Sequence, residues 1–184
     1  MLEKNEFRKS ILAKLHLMTE SEISQKSQRI FSLLQKLMNE FSGSGSWAGF
    51  QSLSTEPQIE FQTIKDIDWC YPKAENQKLT FWSGSKKFEH ADYKVLEPTD
   101  GTKKELDHLT GICVPALAFH AEGYRLGRGK GFYDQTFQNF LGTKIGLCFD
   151  FCLSKETPFE SHDLKMDYII TDLQVIHTAS AGEK

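Results

Sequence analysis

The chain lacks any long apolar run. No stretch approaches the ~20 residues needed to cross a bilayer. The amino-terminal MLEKNEFRKS has no apolar core of the kind a secretory signal carries. Paired C-x-x-C spacing is also missing. Cys70, Cys113, Cys148 and Cys152 stand apart, and the histidines are scattered away from them. That argues against a zinc knuckle and for free thiols in a reducing cytoplasm. The interval from Cys148 to Cys152 suits one face of a helix. A basic excess is absent as well. The net charge of −3 excludes a general nucleic-acid coat and confines any cationic function to a local patch. Two common nucleotide loops are missing. A Walker loop ends in Gly-Lys followed by Ser or Thr, whereas Lys130 is followed by Gly131 and Tyr124 stands where its first glycine belongs. Gly127-Arg-Gly-Lys-Gly131 breaks the G-x-G-x-x-G spacing of a dinucleotide fingerprint. There is no repeat, low-complexity segment or linker.

What is present fits one domain over residues 1–184. A length of 184 residues with 39% hydrophobic content can bury a full core. Leu2, Phe7, Ile11, Leu12 and Leu15 form a helical stripe over 2–17. Thr19-Glu-Ser-Glu22 has the spacing of a capping box and opens a second helix, which carries Ile23, Ile30, Leu34, Leu37 and Phe41. Gly43–Ser46 ends it. Pro57 suits the first position of a short helix over 57–67. Strands are expected at 47–50, at 69–71 (stopped by Pro72), at 79–82, 112–114, 144–149 and 168–171. A helix is expected over 132–141. Residues 84–110 are polar and punctuated and show no pattern, and 178–184 read as a frayed tail. Strands alternating with helices predict an α/β fold with a mainly parallel sheet, in which ligands sit beyond the carboxyl ends of strands.

The densest chemistry lies in Arg125-Leu-Gly-Arg-Gly-Lys-Gly-Phe-Tyr-Asp134. Its glycines let a ligand approach the main chain, and successive N–H groups can form an anion-binding concavity. Arg128 and Lys130 add positive charge, and a helix starting near Phe132 adds its dipole. Asp134 is an acid beside a phosphate-type site, where a magnesium ligand belongs. The plainer alternative is a glycine-rich connection carrying solvated basic residues.

Val114-Pro-Ala-Leu-Ala-Phe119 followed by Gly123-Tyr-Arg-Leu-Gly-Arg-Gly-Lys-Gly-Phe-Tyr-Asp134 resembles the signature of the 5-formyltetrahydrofolate cyclo-ligase (methenyltetrahydrofolate synthetase) family. The resemblance extends to Lys4-x-x-x-Arg8, Phe50-x-Ser52-x-x-x-Glu56, Tyr71-Pro-Lys73, Glu97-Pro98, Pro158, His162-Asp163 and Asp167-Tyr-Ile-Ile-Thr171. Many members have two tyrosines where this chain has Phe132-Tyr133.

The resemblance implies a single-domain three-layer sandwich like those of phosphosugar isomerases and CoA transferases. It implies ATP-dependent closure of 5-formyltetrahydrofolate to 5,10-methenyltetrahydrofolate by a cytoplasmic monomer, with no nucleic-acid or membrane partner. Lys4, Arg8 and the segment Arg125, Leu126, Gly127, Arg128, Gly129, Lys130, Gly131, Phe132 and Tyr133 would hold ATP. Arg128, Lys130 and Tyr133 would act in catalysis. Gln51, Glu56, Arg128, Gly129, Lys130, Gly131 and Phe132 would contact the folate. Asp134 and Asp163 would hold Mg2+. Tyr93 falls near a family aromatic position. Outside the resemblance, Lys4 and Arg8 read as two solvated charges on one helix face, and Glu56 as a first-turn acid. Two rival readings remain: another ATP- or phosphosugar-binding enzyme, and a non-catalytic nucleotide-binding module.

Overall fold

A computed structural model describes residues 3–41, 45–92 and 95–178. Leu2, Gly43, Ser44, Tyr93 and the 179–184 part of the tail lie outside the described residues. Helix α1 spans Lys4–His16 and buries Phe7, Ile11 and Leu15, one turn apart. Helix α2 spans Glu20–Glu40. Its capping box is complete, with the Glu22 N–H donating to Thr19 Oγ1 at 3.2 Å and the Thr19 N–H to Glu22 Oε2 at 2.8 Å. Ile30, Leu34 and Leu37 face the core.

The strands are β1 (Ser46–Ala48), β2 (Asp68–Glu75), β3 (Lys78–Ser83), β4 (Phe88–His90), β5 (Leu96–Pro98), β6 (Thr102–Lys104), β7 (Leu109–Pro115), β8 (Ala118–His120), β9 (Arg125–Leu126), β10 (Thr143–Leu147), β11 (Leu153–Ser154), β12 (Tyr168–Ile170) and β13 (Val175–His177). The central sheet runs β13-β12-β10-β7-β1-β2-β3-β6. Its five inner strands, β12 to β2, pair in parallel, and antiparallel strands close both sides. This is the large, mainly parallel sheet flanked by helices that the alternating pattern predicts. Smaller sheets are β11-β8-β9 and the hairpin β4-β5.

Four expectations are corrected. Pro72 does not stop its strand, because β2 continues to Glu75. The Cys70 carbonyl accepts the Gly49 N–H on the β1 side. Alternate residues face the same way, so the nitrogen of Pro72 also faces that side, where the β1 pairing has ended at Cys70. The 57–67 segment forms only a 3₁₀ turn at Phe61–Thr63. Its polar groups are bonded outside the segment: the Gln58 N–H donates to Ser27 Oγ on α2, and Ser52 Oγ donates to the Pro57 carbonyl. The helix expected over 132–141 is α3, Phe132–Phe137. Beyond it the Phe140 N–H reaches back to the Phe137 carbonyl and Leu141 is exposed. Cys148 and Cys152 do not share a helix face, since Cys152 sits in a 3₁₀ turn after β10. The unpatterned 84–110 region contains β4, β5 and β6.

The four cysteines are free and buried. Burial pushes the Cys70 and Cys152 thiols up to about 12 and raises those of Cys113 and Cys148 well above the usual thiol range.

Candidate active site

The connections that follow β1 and β7 leave the carboxyl ends of adjacent parallel strands and run in opposite directions. One leads to β2, the other onward to β10, on the far side of β7. That divergence is where open α/β sheets place a ligand crevice. A cavity of about 430 Å³ lies there. Leu53 and Glu56 line it from the connection after β1. Pro115, Ala116, Arg125, Arg128, Lys130, Gly131, Phe132 and Tyr133 line it from the chain after β7. Val95, beside β5, completes the wall.

The glycine segment does not follow β7 directly. The β8–β9 hairpin intervenes, and the segment joins β9 to α3. Gly129 (φ 93°) and Gly131 (φ 71°) take the left-handed backbone that glycine adopts without strain. At Gly127 a Cβ would lie 2.3 Å from Arg125 Nη1, so the guanidinium packs against bare backbone.

Arg125 is buried. Its Nε donates to the Pro115 carbonyl at 2.9 Å, Nη1 lies 3.8 Å from Asp134 Oδ2, and the guanidinium stands 4.6 Å from the centre of the Tyr133 ring. Burial pulls its pKa down against the pull of Asp134, yet an arginine keeps its charge. Burial pushes the Tyr133 hydroxyl far above the usual range, with Arg125 opposing. Tyr133 is therefore a neutral phenol. Leu126 sits in the core below the loop, its carbonyl accepting the Leu117 N–H.

Arg128 reaches across to the other wall. Its Nη2 donates to Thr55 Oγ1 at 2.7 Å and to Glu56 Oε1 at 3.2 Å, and Nε lies 3.3 Å from the same carboxylate oxygen. Glu56 is buried and also accepts the Leu53 N–H on Oε2 at 3.0 Å. Gln51, on the same connection, is not among the lining residues.

Helix α1 docks on the loop from outside the cavity. Arg8 Nε donates to the Gly127 carbonyl at 2.9 Å. Four residues earlier, Lys4 Nζ pairs with Asp163 at 2.6 Å and with Glu160 at 3.0 Å. The two charges do share one helix face, as their spacing predicts, and neither is simply solvated. Asp134 and Asp163 meet at a cleft of about 340 Å³. The N–H of Leu164, next in chain to Asp163, donates to Asp134 Oδ1 at 3.2 Å. Pairing of 123–125 with 164–166 holds them there, with Arg125 N–H donating to the Leu164 carbonyl and Met166 N–H to that of Gly123.

Sequence reasoning missed Thr55, Leu53, Val95 and Glu160. Thr55 and Leu53 adjoin Glu56, so proximity to a recognised acid was their available signal. Val95 carried none.

A family model described as the 5-formyltetrahydrofolate cyclo-ligase family matches residues 1–172. A 5-formyltetrahydrofolate cyclo-ligase of Mycolicibacterium smegmatis is 45% identical over 33% of this chain, and the aligned part spans about a third (32%) of that relative's length. The protein of the same name from Mycoplasma genitalium is 25% identical over 92% of this chain and 98% of its own. The solved structure of Aquifex aeolicus 5,10-methenyltetrahydrofolate synthetase superposes with a TM-score of 0.85 at 26% identity, covering 100% of this chain and 96% of that one. The signature segment around Arg125–Asp134, the whole-chain likeness in fold and the match over 1–172 agree, and the chain belongs to the 5-formyltetrahydrofolate cyclo-ligase family of enzymes.

Proposed function

We propose that the chain converts 5-formyltetrahydrofolate to 5,10-methenyltetrahydrofolate, with ATP going to ADP and phosphate. The observation that carries this reading is the cavity where β1 and β7 diverge, walled on one side by a buried carboxylate and on the other by the glycine segment with its cations.

The chemical obstacle is a leaving group. Folate N10 can attack the formyl carbon on N5, but the formyl oxygen would have to depart as hydroxide. Attack of that oxygen on the γ-phosphorus of ATP expels ADP and makes the oxygen part of a phosphate ester. N10 then adds to the carbon, phosphate leaves and the N10 proton is lost. Closure is intramolecular, and effective molarities on the order of 10⁵ M serve well-oriented closures. The harder task is alignment and spreading of charge during phosphoryl transfer. Arg128 and Lys130 face the cavity and supply positive charge to the transferring group. Glu56 accepts from pterin N–H groups, and Phe132 packs on the ring. Neutral Tyr133 donates or accepts a hydrogen bond without changing charge. N–H groups of 127–131, with Lys4 and Arg8 behind them, hold the phosphates. Arg125 keeps Asp134 and Tyr133 in place from below.

Among the described residues no group of three or more acids, histidines or cysteines is placed to hold a metal. Asp134 and Asp163 share a cleft, and two carboxylates fit Mg2+, which keeps waters and takes further ligands from phosphate. When bound, the ion neutralises phosphate charge. The chain is read as a monomer of the cytoplasm, a compartment that suits its free thiols.

Methenyltetrahydrofolate absorbs in the near ultraviolet. Mixing protein, ATP, Mg2+ and 5-formyltetrahydrofolate is expected to raise that absorbance, and excess chelator to stop it. Lys130→Ala and Asp134→Asn are each expected to remove the rise without unfolding the protein. ATP binding with no folate-dependent ADP release would favour a nucleotide-binding module instead. ADP release driven by a phosphosugar would favour the other rival.

A further inference from the structure

We infer that Thr55 is the positioning residue for the Arg128 guanidinium during phosphoryl transfer, an inference that rests on the function proposed above.

Arg128 lies between Gly127 and Gly129, and Gly129 has a left-handed backbone. Neighbours without side chains do little to aim a long arginine, so its acceptors must set its direction. There are two. The contacts to Glu56 Oε1, at 3.3 and 3.2 Å, are long for a charge-assisted pair, which typically closes to ~2.7–2.9 Å. The contact to Thr55 Oγ1 is the short one, at 2.7 Å. Thr55 is itself buried, only 9% exposed.

The two acceptors differ in consequence. Glu56 neutralises the guanidinium, and a neutralised cation stabilises a developing phosphoryl charge poorly. Glu56 is also the carboxylate that faces the folate. Its Oε1 carries both Arg128 contacts while Oε2 accepts the Leu53 N–H, so a pterin that donates to Oε1 competes with Arg128. Once the folate takes Oε1, the hydroxyl of Thr55 still holds Nη2. It is uncharged and takes nothing from the positive charge offered to the phosphoryl oxygens. Folate binding thus loosens the pair with Glu56, and Thr55 keeps the cation aimed.

The test uses the full chain and the absorbance assay, with nucleotide binding followed separately by calorimetry. Thr55→Val keeps the shape and removes the acceptor. It is expected to lower kcat about tenfold or more, since hydrogen bonds to charged groups are worth about that factor, with the KM for 5-formyltetrahydrofolate changed less than twofold. Thr55→Ser is expected to restore most of the rate. In an Arg128→Ala background Thr55→Val is expected to cost nothing further. Should Thr55→Val fail to fold, Thr55→Ala against Thr55→Ser carries the same comparison. A Thr55→Val enzyme with wild-type kcat overturns the inference. So does a rate loss of equal size in the Arg128→Ala background, or a loss confined to folate KM. Wild-type protein that makes no methenyltetrahydrofolate would instead overturn the reading of function, and wild-type turnover with an indifferent Thr55 would overturn only this role.

Discussion

The two amino-terminal helices are held by different means. Helix α2 begins on a complete capping box within its own sequence, buries Ile30, Leu34 and Leu37, and is tied further along the chain through Lys26 to Asp172. Helix α1 is preceded by Glu3, which makes no side-chain cap. Its first turns are fixed by residues far along the chain: Lys4 by Glu160 and Asp163, and Arg8 by the carbonyl of Gly127. A helix whose start is secured by its own sequence serves the fold. One whose start is secured by Lys4 on Glu160 and Asp163 and by Arg8 on the glycine segment has its stability tied to the candidate site.

Substitutions in the two helices should therefore separate activity from stability. The largest effect is expected in α1. Lys4→Met should lower kcat/KM for ATP by about 10–100-fold, the worth of one charged hydrogen bond, and Arg8→Ala by a similar or smaller factor. Steady-state assays at varied ATP check both, and unchanged kinetics would leave α1 as a purely structural helix. Next is the surface on which α1 docks. Gly127→Ala drives a Cβ against the buried Arg125 guanidinium and should cost about 2 kcal/mol, measured by urea denaturation. Smaller still is Thr19→Ala in α2, expected to cost about 1 kcal/mol while turnover stays at the wild-type rate.

The smallest effect is a contrast in pH. The Thr19 N–H and hydroxyl hold the Glu22 carboxyl below its ordinary 4.5. The stability it adds is complete above pH 4.5 and is lost as pH falls through the lowered value. For Lys4, burial lowers the pKa, but hydrogen bonds and charge from Asp163 and Glu160 override it and raise the group above 10.5. Its contribution is complete below pH 10.5 and is lost as pH rises through the raised value. Melting of Glu22→Gln should converge on wild type only in acid, and that of Lys4→Met only in strong alkali. Convergence at the opposite ends would break the contrast.

How much could be read from the sequence follows the same division. Helix α2 was legible because its cap and stripe lie within a few residues of one another. The glycine segment was legible because its composition is extreme. The strands of 84–110 were not, since β6 gains its pairing from β3 and its short alternation carries no period of its own. Pro72 misled because a proline's cost depends on which neighbour has ended. The 57–67 segment misled because Ser27, on α2, takes the Gln58 N–H. In the site, the charged residues stand out in the sequence, and which of them pair does not. Nothing near Arg128 says that its guanidinium crosses to Thr55, 73 positions away. Likewise nothing near Arg125 says that it is buried and turns toward Pro115 and Asp134.

The pairing of Lys4 with Asp163 joins positions 159 apart. A growing polypeptide released stepwise from the ribosome has its first turn ready long before the partner exists. That pair is then among the last things to be completed, and a ligand held there, as proposed for nucleotide, can favour only the finished fold over its precursors.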